Sequence, residues 1–174
     1  MSQYRWDTTF TALFHRCLDR YRSGDTDYST YYSAEDLAFL DSFGYKAREF
    51  FDFVEDYGDG GEPDVTTAVL IASVRRDYLD VEMQGIQSAH EIDPADLPAK
   101  TEAVEGYVWL PRIIVKARAK LRGELEPNTM FCCGGDRGFL RRHDIAPSDF
   151  LRVVWSAGED DQKIIDYVRT KSKA

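Results

Sequence analysis

Cysteine and histidine are scarce in this chain, three of each in 174 residues. Two of the cysteines, Cys132 and Cys133, are neighbours, and no Cys-x-x-Cys or His-x-x-x-His spacing occurs. An odd cysteine count with one adjacent pair does not make a disulfide framework, and adjacent side chains point in different directions, so zinc is not expected. The acidic turn Asp59–Glu62 lacks the full calcium-loop pattern. No metal and no cofactor are therefore expected. No apolar run approaches the roughly 20 residues needed to cross a bilayer, and Met1–Asp7 lacks the basic-then-apolar layout of a secretory signal. The expectation is a reducing, cytoplasmic setting.

Positive charge is also scarce, but only in one part of the chain. Residues 1–100 carry 9 basic and 20 acidic side chains, a net of −11, whereas residues 101–174 carry 13 and 11, a net of +2. An overall charge of −9 argues against nucleic acid or an anionic membrane as the main partner. It leaves room for a local basic site in the second part, and the two parts are expected to attract each other.

What the chain does have is apolar periodicity and clear punctuation, with 13% aromatic residues to fill a core. Phe10, Leu13, Phe14, Cys17 and Tyr21 predict an amphipathic helix over 8–22. Ser33 reads as an N-cap with Asp36 at the third helical position, opening a short helix that stops at Gly44. Ala47–Tyr57 predicts a third helix with Phe50, Phe51, Phe53 and Val54 inward, broken at Gly58–Glu62. Pro63 suits the first turn of a long helix over 63–84, with Val65, Val69, Leu70, Val74, Tyr78 and Val81 as its apolar stripe. Residues 85–105, with Pro94 and Pro98, read as a surface connector. Further helices are expected through Leu121 (Leu110, Ile113, Ile114, Ala117 inward), to His143, over 147–157 and over 160–169, with a Lys-Ser-Lys-Ala tail that frays. The fold class is mainly α and a single domain, with at most a small strand pair from the Tyr28–Tyr32 and Thr129–Cys132 regions.

Sliding the chain by one hundred positions aligns 13–58 with 113–158 without a gap. Arg22/Arg122, Asp36/Asp136, Phe39/Phe139, Leu40/Leu140, Phe50/Phe150, Val54/Val154 and Gly58/Gly158 are identical. Apolar phase, cap position and breaks also coincide, which is the signature of an internal repeat. Shared positions are then expected to hold the fold. Differences such as Ser33→Cys133, Ala34→Gly134, Glu35→Gly135, Leu37→Arg137 and Phe43→His143 mark where function is sought.

The block Gly106-Tyr-Val-Trp-Leu-Pro-Arg-Ile-Ile-Val-Lys-Ala-Arg-Ala-Lys-Leu-Arg-Gly123, followed by Cys133-x-x-Asp136 and Phe139-Leu140, resembles an uncharacterised bacterial family of unknown function. The resemblance covers about 105–170 strongly and the first half more loosely, and it implies no assigned activity, hence no catalytic residues. This chain has Gly134-Gly135 where that family has Pro-Leu, which opens the backbone after the cysteine.

The candidate chemistry gathers there. Cys133, in the place of the Ser33 cap, is either a capping substitute or a catalytic thiol made reactive by free amides and the helix dipole. His143 is its candidate partner, although it lies turns away along the helix and must come within about 3 Å to act. Gly134 and Gly135 expose amides, and with Arg137 they form a ligand-binding cradle for a carboxylate or phosphate. Arg112, Lys116 and Lys120, at i, i+4 and i+8, make a basic ridge edged by Arg118 and Arg122. Such a ridge needs acidic partners, expected from the first half, or an anionic ligand. Two functions follow: a module binding a small anionic molecule near Cys133–Arg137, with or without thiol chemistry, or a non-catalytic module for a protein partner or homodimer through Tyr107, Trp109 and Arg112.

Overall fold

The structure, a computed structural model, describes residues 3–172, so part of the tail expected to fray lies outside the described residues. Among them are eight α-helices and one two-stranded antiparallel sheet, so the protein is mainly α. The helices are α1 (Trp6–Arg22), α2 (Ala34–Asp41), α3 (Ala47–Gly60), α4 (Val65–Val81), α5 (Leu110–Arg122), α6 (Gly134–Arg142), α7 (Pro147–Ala157) and α8 (Asp161–Lys171). They fall into two compact units, residues 1–76 and 77–174, divided within α4.

In the first unit α1 packs on α3 through an aromatic core. Trp6, Phe10, Phe39, Phe43 and Phe50 are all buried, with Phe10 and Phe50 centroids 4.9 Å apart at a T-shaped angle, the geometry ring quadrupoles prefer. The predicted cap of α2 forms in full. Ser33 Oγ accepts from Asp36 N at 3.2 Å, and the Asp36 carboxylate accepts from Ser33 N at 2.8 Å. Helix α3 runs past the expected break at Gly58, and the Tyr21 ring of α1 rests there: a Cβ would lie 2.6 Å from that ring. The helix ends instead at Gly61, with φ 73°.

Helix α4 begins two residues later than expected. Asp64, rather than the first turn around Pro63, opens it by accepting from Thr67 N at 2.8 Å. Its buried face is also turned from the predicted stripe: Ala68, Ile71, Ala72, Val74, Arg75 and Leu79 are buried, while Leu70 and Val81 are exposed. The helix carries two apolar stripes, and the buried one contains the small Ala68 and Ala72.

Arg75, 1% exposed, lies over Gly44, whose φ is +70° and whose added Cβ would sit 2.9 Å from the guanidinium carbon. Gly44→Ala is expected to cost about 2–4 kcal/mol, from left-handed strain and displacement of a buried cation, measured by urea unfolding.

In the second unit α5 packs on α7 and α7 on α8. The sheet is not where the sequence placed it: Tyr28–Thr30 is a 3-10 turn and 129–132 is irregular. The strands are β1 (Ala103–Val104) and β2 (Tyr107–Val108), inside and just after the expected connector. Glu105 and Gly106 both have positive φ, 50° and 85°, which gives a two-residue turn matching the strand twist. The hairpin delivers Trp109, itself at φ 79°, to the start of α5.

The hundred-residue offset recurs in the local geometry. Helices α2 and α6 begin at 34 and 134, and α3 and α7 at 47 and 147. After α2, Phe43 and Tyr45 amides donate to the Leu40 carbonyl; after α6, His143 and Ile145 donate to Leu140. The left-handed residue between is Gly44 in one and Asp144 in the other. The match ends at the far side, where Gly58 is helical and Gly158 (φ 60°) follows α7.

Candidate functional site

Asp136 is the residue around which this part of the chain closes. It sits in the first turn of α6, is 0% exposed, and takes three donors. The Trp109 indole reaches Oδ1 at 2.9 Å, while the Lys116 ammonium at 2.5 Å and the Cys132 amide at 2.9 Å share Oδ2. Lys116, from the middle of α5, is 3% exposed. A carboxylate this deep is tolerable because a cation and two neutral donors replace its water. Cys132 is held at φ 74°, an unfavourable backbone for a residue with a Cβ. Its amide is taken by Asp136, and its carbonyl accepts from Arg137 Nη1 at 2.7 Å.

Cys133 occupies the N-cap position of α6, as its alignment with Ser33 predicts, but no side chain caps that helix among the described residues. The thiol instead faces α5, where Lys116 Nζ donates to Sγ at 3.3 Å. It is half-buried, and Gly134 and Gly135 beside it are exposed. The two glycines are there for different reasons. At Gly134 the nearest atom to an added Cβ is Arg137 Nη2 at 3.9 Å, whereas at Gly135 a Cβ would meet the Trp109 ring, 2.5 Å from Cη2. Gly135 therefore seats the indole that binds Asp136. Burial pushes the Cys132 and Cys17 thiols up to about 12, so both stay protonated at neutral pH.

Other candidates lie elsewhere. His143 follows the C-terminal end of α6, ten residues from Cys133 and so about 15 Å along the axis. It packs on Phe139 and Tyr107 and shares a 2.7 Å hydrogen bond with Ser172. Burial lowers its pKa. The expected basic ridge is not an outward surface: Lys116 and Lys120 are buried, and Arg112 is half-buried and donates to the Pro98 carbonyl at 2.8 Å. Arg112 thus reaches back to the first part of the chain, while Lys116, Arg118 and Arg122 have acidic partners in the second. Lys116 pairs with Asp136, Arg118 with Asp161 at 2.6 Å and Arg122 with Glu159 at 2.5 Å. Tyr107 and Trp109, expected on an interaction surface, are half-buried and committed to His143 and Asp136.

The sequence reading named Lys116 and Trp109 but not their pairing with Asp136, although for Lys116 a signal existed. Arg16 and Lys116 share the hundred-residue frame with Asp36 and Asp136, and the first unit pairs Arg16 with Asp36 at 2.5 Å. The spacing of twenty residues between base and acid is the same in both stretches and legible in the sequence. Trp109 had no such cue, since Thr9 stands in its place.

Residues 96–174 match the family model described as Domain of unknown function (DUF5069). The matched stretch contains all of the site, and the description carries no chemistry. No curated protein and no solved structure matches the chain significantly. Among the described residues no cluster of three His, Cys, Asp or Glu side chains could hold a metal ion, and no helix is long and apolar enough to cross a membrane.

Proposed function

We propose that the start of α6 binds a small anion of the carboxylate or phosphate class, with the Cys133 thiol at its edge. The observation that carries this reading is the missing cap. Helix α2 closes its first amides with Ser33, whereas α6 has a cysteine that makes no cap hydrogen bond and two exposed glycines. Those amides, with Lys116 and Arg137 nearby, are the donors an anion needs at a helix N-terminus. Three free thiols fit a reducing, cytoplasmic setting. The common frame also supports reading 13–58 and 113–158 as two copies of one unit within a single chain.

Inorganic phosphate is the first probe. At tenfold excess over Kd it should raise the melting temperature by about 3 °C, for roughly 1.4 kcal/mol of linked binding. Cys133→Ser should supply the cap that α2 already has, gaining about 1 kcal/mol and abolishing the phosphate shift. A phosphate shift that survives in Cys133→Ser, or no shift at millimolar phosphate in the wild type, would count against the site. Iodoacetamide mapping gives a second check: in the folded protein Cys133 should be alkylated while the buried Cys17 and Cys132 remain unmodified.

A further inference from the structure

Lys116 does more at this site than neutralise Asp136. Its nitrogen lies 3.3 Å from Cys133 Sγ and is held there by the 2.5 Å pair with Asp136. The side chain is 4% exposed, so it cannot swing out to solvent while that pair lasts. Cys133, by contrast, is half-buried at the exposed start of α6. A small oxidant therefore reaches the sulfur first and finds a single amine waiting behind it.

We propose that Cys133 and Lys116 form a reversible oxidative crosslink, a sulfenamide between Sγ and Nζ, with hydrogen peroxide as the oxidant. The Cys133 sulfur attacks one peroxide oxygen, the O–O bond breaks, and the products are a sulfenic acid and water. Lys116 passes one proton to Asp136 and becomes a neutral amine. Its lone pair then attacks Sγ as the S–O bond breaks, and the departing hydroxide takes a proton from the nitrogen as a second water. The thiol is oxidised by two electrons and the peroxide is reduced by two. Asp136 ends protonated, still receiving the Trp109 indole and the Cys132 amide. A thiol attacks Sγ, the S–N bond breaks and the nitrogen takes the thiol's proton to return the amine; a second thiol then reduces the mixed disulfide left on Cys133.

The neighbouring cysteine is the obvious competitor, and the geometry disfavours it. The Cys132 thiol is buried and remains protonated, and a thiol attacks sulfenic acid far more slowly than a thiolate does. Its backbone is also pinned on both sides, the amide to Asp136 and the carbonyl to Arg137. The crosslink needs no bound anion, so it stands or falls separately from the phosphate site.

The test is peroxide treatment of the full-length protein, intact mass, and a tryptic map without reductant. The expected result is a loss of two hydrogens, a peptide pair joined through Lys116 and Cys133, and lost cleavage after Lys116, all restored by dithiothreitol. Cys132→Ala should keep the link, and Lys116→Arg should lose it. A Cys132–Cys133 disulfide, or a Cys133 that stops at sulfenic or sulfinic acid with Lys116 still cleaved, would overturn the proposal. Should Lys116→Arg fail to fold, the wild-type peptide map decides alone.

Discussion

Lys116→Met should destabilise the fold by about 3–5 kcal/mol, because it strands a fully buried carboxylate without its cation. Asp136 would keep the Trp109 and Cys132 donors, but neutral hydrogen bonds do not replace a counter-charge in a region from which water is excluded. Arg16→Met, which removes the corresponding cation in the first unit, should cost no more than about 1 kcal/mol. The side chains of that pair are 53% and 15% exposed, against 4% and 0% for Lys116 and Asp136. Solvent already screens the first pair and would rehydrate Asp36 once Arg16 is gone. The double variant Lys116→Met with Asp136→Leu should recover only part of the loss, since it removes the orphaned charge but leaves the Trp109 indole and the Cys132 amide without their acceptor. Urea unfolding of the four proteins checks this. Equal costs for the Lys116 and Arg16 variants would show that burial does not separate the two pairs.

Gly135→Ala should cost about 2–4 kcal/mol, while Gly134→Ala one residue earlier should be nearly neutral. Both glycines are exposed and both begin α6, so helix propensity alone would make each alanine mildly stabilising. The difference is the Trp109 ring, which occupies the space a Cβ on Gly135 would need and leaves Gly134 open. The six-membered edge of an indole cannot fold aside as the tip of a lysine can, so the ring must shift. It then loses its 2.9 Å bond to Asp136, adding the loss of a charge-assisted hydrogen bond to the overpacking. Thermal melting, with Trp fluorescence as a second readout, checks both variants. A Gly135→Ala protein as stable as the wild type would mean that the indole is not fixed at this position.

Much of the architecture was legible because helices are written locally. Apolar spacing gave α1, α3, α5 and α7, and the Ser33 and Asp36 pair gave the α2 cap, since a cap needs only residues three apart. The hundred-residue frame also located the start of α6 at Cys133. Boundaries failed where a distant side chain decided them. Gly58 reads as a breaker, yet it is helical, and its missing Cβ makes room for Tyr21 from α1. The buried face of α4 and the β1–β2 hairpin were missed for related reasons. Two apolar stripes compete on α4, and the Glu105-Gly106 turn falls inside a segment without periodicity.

By itself, then, the sequence determined that the chain is helical, where most helices begin, and that Cys133 and Gly135 stand at the hundred-residue offset from Ser33 and Glu35. Only the tertiary structure decided what those changes mean. It turned the Lys116 face of α5 inward, making a presumed surface ridge into a buried charge pair. It assigned Gly135 to the Trp109 ring and directed the Cys133 thiol toward Lys116 instead of the α6 amides. The physical reason is that capping and periodicity act over a few residues. The Trp109 and Lys116 donors to a buried carboxylate and the neighbour of a thiol are residues 17 to 27 positions away, which meet only when the helices pack.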